Sequence, residues 1–145
     1  MEKINEDLLD VWLTLSKTII NERLVSDMPY NEARICNILY RNQRYHPEQR
    51  LTATNLCSET NMLKSQMNRT LNQMEKKGLI VRERSSLDKR NVFLSLDPQK
   101  AEVYIAQHTK ILELVDKIIE KIGKEKTMEL IELLTTISAI ANEVI

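Results

Sequence analysis

The chain is poor in the residues that interrupt regular structure. Its 145 residues include only two glycines and three prolines, and aromatic residues make up 4% of the sequence. Because glycine and proline punctuate turns and break helices, their scarcity favours a mostly helical protein. Apolar residues make up 42% of the chain, which is enough for the core of one domain or one compact unit with extensions.

The sequence also lacks the features of secreted and membrane proteins. No apolar run approaches the roughly 20 residues that a helical membrane span requires. The first residues, MEKINED, are acidic and polar, unlike a secretory signal peptide. Two cysteines, Cys36 and Cys57, cannot form a disulfide framework, so a reducing compartment is expected. These absences predict a cytoplasmic protein with no membrane partner.

Residue patterns typical of enzymes and metal sites are missing as well. There is no glycine-rich phosphate loop, no nucleophile–base pair and no pair of carboxylates at a recognisable spacing. The two histidines, His46 and His108, lack ligand spacing, so we expect no metal, no other cofactor and no enzymatic activity. Redox sensing by Cys36 or Cys57 stays open, although on apolar helix faces cysteine usually acts as a small hydrophobe.

The formal net charge of zero hides an uneven distribution. Residues 1–30 carry a net charge of −3, residues 31–91 carry +6, and residues 92–145 carry −3. Eight of the twelve positive residues in the middle segment fall between residues 62 and 91. A positive segment between two acidic ends predicts a polyanionic partner for the middle of the chain.

This positive segment has the pattern of a helix followed by a β-hairpin. Leu63, Met67, Leu71 and Met74 recur at helical spacing and predict one apolar face, and Gly78 follows where helices commonly end. The opposite face carries amide and basic residues and no acid. LIVRER and VFLSL, separated by SSLDKRN, predict two strands joined by a charged turn. A helix with these two faces, followed by a basic hairpin, is what a winged helix-turn-helix presents to DNA.

The remaining segments predict further helices. A second helix, with Asn31 as its N-cap, carries Ile35, Ile38 and Leu39, and a short third helix is capped by Thr52. Asp97 and Pro98 predict the start of the next helix, because Asp is a preferred N-cap and Pro a preferred first residue. Apart from the helix in the positive segment, helices are expected over residues 5–25, 31–41, 53–58, 98–122 and 127–145. Residues 42–51 are expected to be a loop, with residues 50–51 adding a short strand to the hairpin.

Both ends of the chain are strongly apolar. Leu8, Trp12, Leu15 and Ile19 make a stripe on the first helix, and the chain ends on Val144-Ile145. Helices this apolar would aggregate unless they were covered, and a homodimer covers both ends at once. We therefore expect residues 1–30 and 98–145 to form a helical dimerisation region and residues 31–97 to form a winged helix-turn-helix DNA-binding lobe.

The whole arrangement resembles the MarR family of bacterial transcription regulators. The most specific features are G-L-I-x-R at Gly78–Arg82, D-x-R at Asp88–Arg90, and the strand VFLSL, while Thr52–Gly78 fits the short helix, turn and recognition helix. Leu63 stands where the family usually has a capping Ser or Thr, and residues 97–100 replace its usual T-x-x-G. The resemblance implies a mainly α fold with a small β-hairpin wing (α+β), with N- and C-terminal helices that dimerise.

The resemblance also implies which residues contact double-stranded DNA. The expected recognition-helix residues are Lys64, Ser65, Gln66, Asn68, Arg69, Asn72 and Lys76. The expected wing residues are Arg84, Ser85, Ser86, Asp88, Lys89 and Arg90, with Arg90 in the minor groove and Asp88 holding the wing. Thr52, Thr54 and Asn55 are expected from the first helix of the helix-turn-helix. Amide side chains can read adenine and arginine can read guanine, whereas lysines on phosphates add salt-dependent affinity.

Family members hold small aromatic effectors between the dimer helices and the DNA-binding lobe. Trp12, Tyr40, Tyr104 and His108 are the candidate lining of such an effector pocket, although at helical spacing they are also typical of a core. We predict a homodimeric repressor that binds a pseudo-palindromic operator and is released by a small ligand or a stress signal. The alternative is a winged-helix adaptor whose basic face binds an acidic protein.

Overall fold

A computed structural model describes residues 2–21 and 28–144, and in these ranges it has six helices and one two-stranded sheet. The helices are α1 (Glu2–Asn21), α2 (Tyr30–Tyr45), α3 (Ala53–Thr60), α4 (Lys64–Lys76), α5 (Glu102–Ile122) and α6 (Lys124–Val144); the strands are β1 (Ile80–Arg84) and β2 (Val92–Leu96). The chain divides into two compact units, residues 1–107 and 108–145, and the division falls inside α5. The predicted fold class, mainly α with a small hairpin, is confirmed.

One apolar core holds together α2, α3, α4, the hairpin and the beginning of α5. Its buried members are Ile35, Cys36, Leu39, Leu56, Met67, Leu71, Met74, Ile80, Leu94, Leu96, Ala101 and Tyr104. Met67, Leu71 and Met74 are each at most 1% exposed, which confirms the predicted inner face of α4. Leu63 is 73% exposed, so its predicted place on that face is wrong. It lies one residue before α4 in extended backbone, which directs its side chain away from the helix face.

Helix α2 differs from its predicted bounds at both ends. It begins at Tyr30, so Asn31 lies inside the helix and is not its N-cap. It continues to Tyr45, four residues past the expected end at Arg41, and shortens the loop accordingly. The extra turn is polar and exposed, and therefore shows no apolar periodicity in the sequence. The predicted continuation of α1 to residue 25, and the side chain of Ile19, lie outside the described residues.

The start of α3 confirms the predicted cap. The hydroxyl oxygen of Thr52 accepts a hydrogen bond from the Asn55 backbone N–H at 3.3 Å, and the Thr52 N–H donates to Asn55 Oδ1 at 2.9 Å. These reciprocal bonds satisfy two donors at the helix start. Just before this cap, Leu51 pairs with Leu94 in a single antiparallel bridge, so the predicted short strand at residues 50–51 is reduced to one bridging residue. After α3, Asn61 has a φ of 58°, the left-handed conformation predicted for the turn.

A glycine turn joins α4 directly to the hairpin. The N–H of Gly78 donates to the Glu75 carbonyl, and the N–H of Leu79 donates to the Met74 carbonyl, both at 2.9 Å. Gly78 has a φ of +78°, which glycine adopts without the strain that a Cβ brings. These two bonds form a Schellman motif, and β1 begins at Ile80 immediately after it. The predicted helix stop at Gly78 is therefore confirmed.

The last two helices begin at positions other than those predicted. Asp97 Oδ1 accepts from the N–H groups of Gln99 and Lys100 at 3.0 and 3.4 Å, so it caps the turn at residues 98–101 and is not the predicted N-cap of the helix. The residues after it form hydrogen-bonded turns, and α5 itself begins at Glu102, four residues later than predicted. Helix α6 begins at Lys124, immediately after Gly123 and three residues earlier than predicted. Its predicted last residue, Ile145, lies outside the described residues.

Apolar side chains remain exposed on α1 and α6 in the single chain. On α1, Leu8 and Trp12 are 61% and 47% exposed, and on α6, Ile131 and Leu133 are 59% and 61% exposed. None of the described residues of α6 is buried. Exposed apolar faces of this kind commonly mark a surface that packs against a partner. Across the described helices, no segment has both the length and the low charge that a membrane span needs.

Candidate nucleic-acid interface

An open groove of about 690 Å³ lies between α4 and the hairpin, with the start of α3 at its edge. It is lined by Thr52, Ala53, Thr54, Lys64, Asn68, Leu71, Asn72, Arg82, Arg84, Arg90, Asn91, Val92 and Leu94. Four of these residues are cationic, and none of the described lining residues is acidic. We refer to this concavity as the cationic groove. Its charge suits a polyanion, and its amides can read hydrogen-bonding edges.

The fold brings three separate segments of predicted contact residues into this groove. Seven of the residues predicted to contact DNA line it: Thr52, Thr54, Lys64, Asn68, Asn72, Arg84 and Arg90. Ser65, Gln66, Arg69 and Lys76 are exposed on α4 outside the groove lining. Asn55 is committed to the α3 cap and lines a second concavity between α2 and α3. The remaining four, Ser85, Ser86, Asp88 and Lys89, lie in the turn of the hairpin.

The hairpin turn is held in shape by its own side chains. Ser85 Oγ accepts from the N–H groups of Leu87 and Asp88, each at 3.2 Å. Asp88 Oδ1 accepts from the Arg90 N–H at 3.0 Å and from its Nε at 3.4 Å. The Arg90 side chain is nevertheless 92% exposed. Asp88 therefore orients Arg90 while leaving most of its guanidinium available to an anion.

The loop before α3 contacts the hairpin close to its turn, where Glu83 pairs with Phe93 across the two strands. Arg50 Nη2 lies 2.8 Å from Glu83 Oε2, and the Arg50 guanidinium lies 4.5 Å from the centre of the Phe93 ring. This ion pair offsets the charge of Glu83, and the ring contact adds a cation–π attraction. The charge that the hairpin presents to the cationic groove therefore comes from its arginines.

Arg82 is a groove residue to which the sequence analysis assigned no role. Its Nη1 donates to Asn72 Oδ1 at 3.0 Å and lies 3.8 Å from Glu75 Oε1. The alternation of side chains along β1 could have identified Arg82 as a groove residue. Arg82 lies on the same face of the strand as Ile80, which is buried, and Arg84, which lines the groove. That face is turned toward α4.

Two of the four predicted effector residues are brought together. The Tyr40 and Tyr104 rings meet edge to face, with centroids 6.3 Å apart, and the Tyr104 hydroxyl donates to Asn37 Oδ1 at 3.4 Å. Burial raises the pKa of the Tyr104 phenol, with smaller contributions from Cys36 and Tyr40. Trp12 lies on α1 and is about half exposed, and His108 is the first residue of the second unit.

Cys36 has the environment of a structural thiol. It is fully buried, and burial followed by the nearby charge of Glu32 raises the pKa of its thiol to about 12. A reactive cysteine needs the opposite shift, because the thiolate is the nucleophile. Cys57 packs partly buried against the same core. In the part of the chain that the structure describes, no three His, Cys, Asp or Glu side chains cluster as metal ligands would.

Comparison with known proteins relates this fold to one family. Residues 26–91 match the model of the MarR family. The HTH-type transcriptional regulator FarR of Neisseria gonorrhoeae is 28% identical over 128 residues, which cover 88% of this chain and 82% of FarR. The structure of NadR in complex with 4-hydroxyphenylacetate matches with a TM-score of 0.71 and 27% identity, covering 92% of this chain and 91% of NadR.

S. aureus MepR in its DNA-binding conformation matches with a TM-score of 0.73 over 94% of this chain and 98% of MepR, at 17% identity. At that identity the likeness concerns the fold alone. The family match covers the helix-turn-helix and most of the wing, and the fold agreement covers nearly the whole chain. The helix-turn-helix and most of the wing of this chain are therefore similar to those of MarR family transcriptional regulators, and its fold is similar to theirs over nearly its whole length.

Proposed function

We propose that this chain is a homodimeric, sequence-specific repressor that binds a pseudo-palindromic operator. The observation that carries the proposal is the cationic groove, in which Lys64 of α4 meets Arg82, Arg84 and Arg90 of the hairpin around three exposed amides, those of Asn68, Asn72 and Asn91. Charge of this kind supplies salt-dependent affinity for phosphates, and the amides supply sequence information. An acidic protein partner would need only the positive charge and not the amides.

The recognition helix and the wing have different roles in this proposal. Ser65, Gln66, Asn68 and Arg69 occupy the first half of α4 and face base edges in the major groove, where Asn68 suits adenine and Arg69 suits guanine. Lys64, Lys76, Arg84 and Lys89 neutralise phosphates. Arg90 projects from the wing into the minor groove, whose negative potential attracts arginine where the groove is narrow.

The apolar terminal helices support the dimer. The exposed faces of α1 and α6, together with Leu112, Val115 and Ile118 on the second half of α5, need a cover that a second copy can supply. A two-fold dimer presents two recognition helices to half-sites about one helical turn apart, roughly 34 Å. A dimer seated on a promoter blocks the polymerase by exclusion, which is the basis for proposing repression.

A small aromatic acid is the proposed effector class. NadR, at 27% identity, was solved with 4-hydroxyphenylacetate, and the Tyr40–Tyr104 pair provides aromatic surface in this chain. A ligand that prefers a dimer with mismatched recognition helices would lower the occupancy of the operator. Trp12 and His108 stay predicted members of that pocket.

The decisive test is binding of the purified protein to DNA upstream of its own gene over a salt series. We expect the logarithm of the affinity to fall linearly with the logarithm of salt, and Lys64→Ala and Arg84→Ala each to reduce the slope by about 1. Arg34→Ala is the matched control, because Arg34 donates to the Glu59 carbonyl outside the groove and its loss should leave the slope unchanged.

Three further readouts address the finer parts of the proposal. Sedimentation should show a dimer, transcription from the bound promoter should fall when the protein is added, and 4-hydroxyphenylacetate should weaken DNA binding. Arg69→Ala should relax base preference at one position. A stable single copy in solution would overturn the dimer. Absence of binding to any duplex at low salt, with binding to an acidic protein instead, would favour the adaptor alternative.

A further inference from the structure

Arg82 connects the two DNA-facing elements of the lobe. It stands in the middle of β1, and its Nη1 donates to Asn72 Oδ1 on α4 across 3.0 Å. Its side chain is 29% exposed, so the contact is partly shielded from water. The contact to Glu75 is longer, at 3.8 Å, and Glu75 itself is 47% exposed. The bond to Asn72 is therefore the tighter of the two and the one that faces the cationic groove.

The chemistry of the pair fixes the orientation of the Asn72 amide. Arginine has five N–H donors and no acceptor, so the atom that Asn72 turns toward Arg82 must be its oxygen. The nitrogen of the same amide then points the other way, with two donors. The amide orientation is assigned because arginine can only donate hydrogen bonds, and not from the size of the two amide atoms, which is nearly the same for oxygen and nitrogen.

This orientation occupies one of the two lone pairs of the amide oxygen that a bidentate contact to adenine would use. The bidentate contact needs the amide oxygen to accept from the adenine amino group while the amide nitrogen donates to N7. In Asn72 the oxygen is already engaged by Arg82. Asn68, one helical turn earlier and lining the same groove, is the amide that we assign to adenine.

We propose that Arg82 is a positioning residue that sets Asn72 as a hydrogen-bond donor to a DNA phosphate oxygen. The inference rests on the proposed DNA-binding function and adds a role to each of the two residues. A phosphate is the acceptor because Asn72 lies in the second half of α4, whereas base edges are contacted from the first residues of a recognition helix. Arg82 also ties the wing to α4, so the phosphate donor keeps a fixed position relative to Arg84 and Arg90.

A double-mutant cycle tests whether Arg82 acts through Asn72. The variants are Arg82→Met, which keeps an apolar stem of similar length, Asn72→Ala, and both together, measured for affinity to the operator. We expect each single change to weaken binding by about 10-fold and the double change to weaken it by about the same factor. Losses that multiply to about 100-fold would overturn the inference, because they mean independent contributions.

Two matched variants separate the donor role from simple contact loss. Asn72→Asp keeps an acceptor oxygen for Arg82 but has no donor, so it should bind at least as weakly as Asn72→Ala; wild-type affinity in this variant would overturn the donor role. Glu75→Gln removes the charge of the longer Arg82 contact and should leave the affinity unchanged. A loss equal to that of Arg82→Met would show that Glu75 is the relevant partner.

Base preference identifies the acceptor. If Asn72 donates to a phosphate, Asn72→Ala should weaken binding evenly to operators that carry single base-pair changes. A loss confined to one base pair would overturn the phosphate assignment in favour of a base carbonyl or N7.

Folding and function are controlled separately. Unfolding midpoints and sedimentation are measured for every variant. Arg82→Lys keeps a cationic hydrogen-bond donor, so it should recover part of the affinity that Arg82→Met loses. Should Arg82→Met not fold, Arg82→Lys replaces it in the cycle. Failure of the wild-type protein to bind DNA would overturn the proposed function, whereas wild-type binding with multiplying losses would overturn this inference alone.

Discussion

Lys77 holds its side-chain nitrogen 2.9 Å from both carboxylate oxygens of Glu32, whose side chain is only 2% exposed. The pair joins the end of the recognition helix α4 to the first turn of α2, where the helix dipole also favours an acid. Lys76, its neighbour in sequence, is exposed on α4. Two adjacent lysines therefore have different environments: Lys77 pairs with a buried carboxylate inside the lobe, and Lys76 is exposed to solvent.

Replacing Lys77 with Met should destabilise the protein, because it leaves the buried Glu32 carboxylate without its cation. We expect a loss of about 2 kcal/mol in the free energy of unfolding, below the full range for buried pairs since Lys77 is half exposed. Lys76→Met should change stability by less than about 0.5 kcal/mol and should instead weaken DNA binding. Denaturant unfolding and DNA titration of both variants check the division, and equal effects on stability would contradict it.

Removing the hydroxyl of Thr52 should destabilise the start of the helix-turn-helix. Thr52→Ala loses the hydroxyl oxygen that accepts from the Asn55 N–H and should cost about 1 kcal/mol, while Thr52→Ser should retain most of the stability. Thr54→Ala, two residues later in the same groove wall, serves as the control because Thr54 is not the cap. Thermal unfolding separates the variants, and identical behaviour of Thr52→Ala and Thr54→Ala would refute the capping role.

Alkaline pH should weaken the fold through Cys36. Its thiol pKa is raised from 9.0 to about 12 in the folded chain, so the folded state holds the proton more tightly than the unfolded state. The stabilising contribution is complete below pH 9 and is lost as the pH rises from 9 towards 12. The buried Tyr104 phenol, whose pKa is also raised, acts in the same direction.

The measurement is the free energy of unfolding as a function of pH for the wild type, Cys36→Ala and Cys57→Ala. The decline above pH 9 should be shallower in Cys36→Ala than in the wild type, and Cys57→Ala serves as the control for loss of a thiol that packs against the same core. Cys36 should also resist alkylation in the native protein at neutral pH and react once the chain is unfolded. Rapid native alkylation of Cys36 would contradict its assignment as a structural thiol.

Asp88 offers a test in which two physical effects have opposite signs. Removing its negative charge should strengthen binding to DNA if long-range electrostatics dominate. Asp88→Ala also releases the Arg90 backbone and guanidinium, and we expect this loss of orientation to dominate and weaken binding by about 10-fold. Glu83→Gln removes an equal charge from the same hairpin without touching its turn, and should leave binding unchanged or slightly tighter. Tighter binding by Asp88→Ala would show that orientation by Asp88 is unimportant.

Local patterns in the sequence were sufficient to predict most of the lobe. The inner face of α4 at Met67, Leu71 and Met74, the cap at Thr52 and the stop at Gly78 each depend on residues close in sequence. Leu63 was misplaced because periodicity does not reveal where a helix begins. The polar last turn of α2 was missed because a solvent-facing turn leaves no apolar signal. The start of α5 was placed too early because the capping pattern of Asp97 and Pro98 belongs to a hydrogen-bonded turn that precedes the helix.

Contacts between distant segments could not be read from periodicity. The pairs Lys77–Glu32, Arg82–Asn72 and Arg50–Glu83 join residues 45, 10 and 33 positions apart. Each depends on how elements pack, and packing decides which of several similar cations is bound internally. Seven predicted contact residues converge in the cationic groove because the motif fixed their segments, while the role of Arg82 emerged only from its partner.

The Schellman turn at Gly78 joins α4 to β1 through a short, hydrogen-bonded connection with no flexible loop. The Arg82–Asn72 hydrogen bond is a second link between the helix and the hairpin, so the two elements keep a fixed distance from each other. In the proposed complex, a base pair inserted inside a half-site would shift the contacts of α4 relative to those of the hairpin. The lobe has no flexible joint between the two elements that could compensate. In the proposed dimer, any tolerance for altered operator spacing must therefore come from movement between the two protomers and not from changes within one.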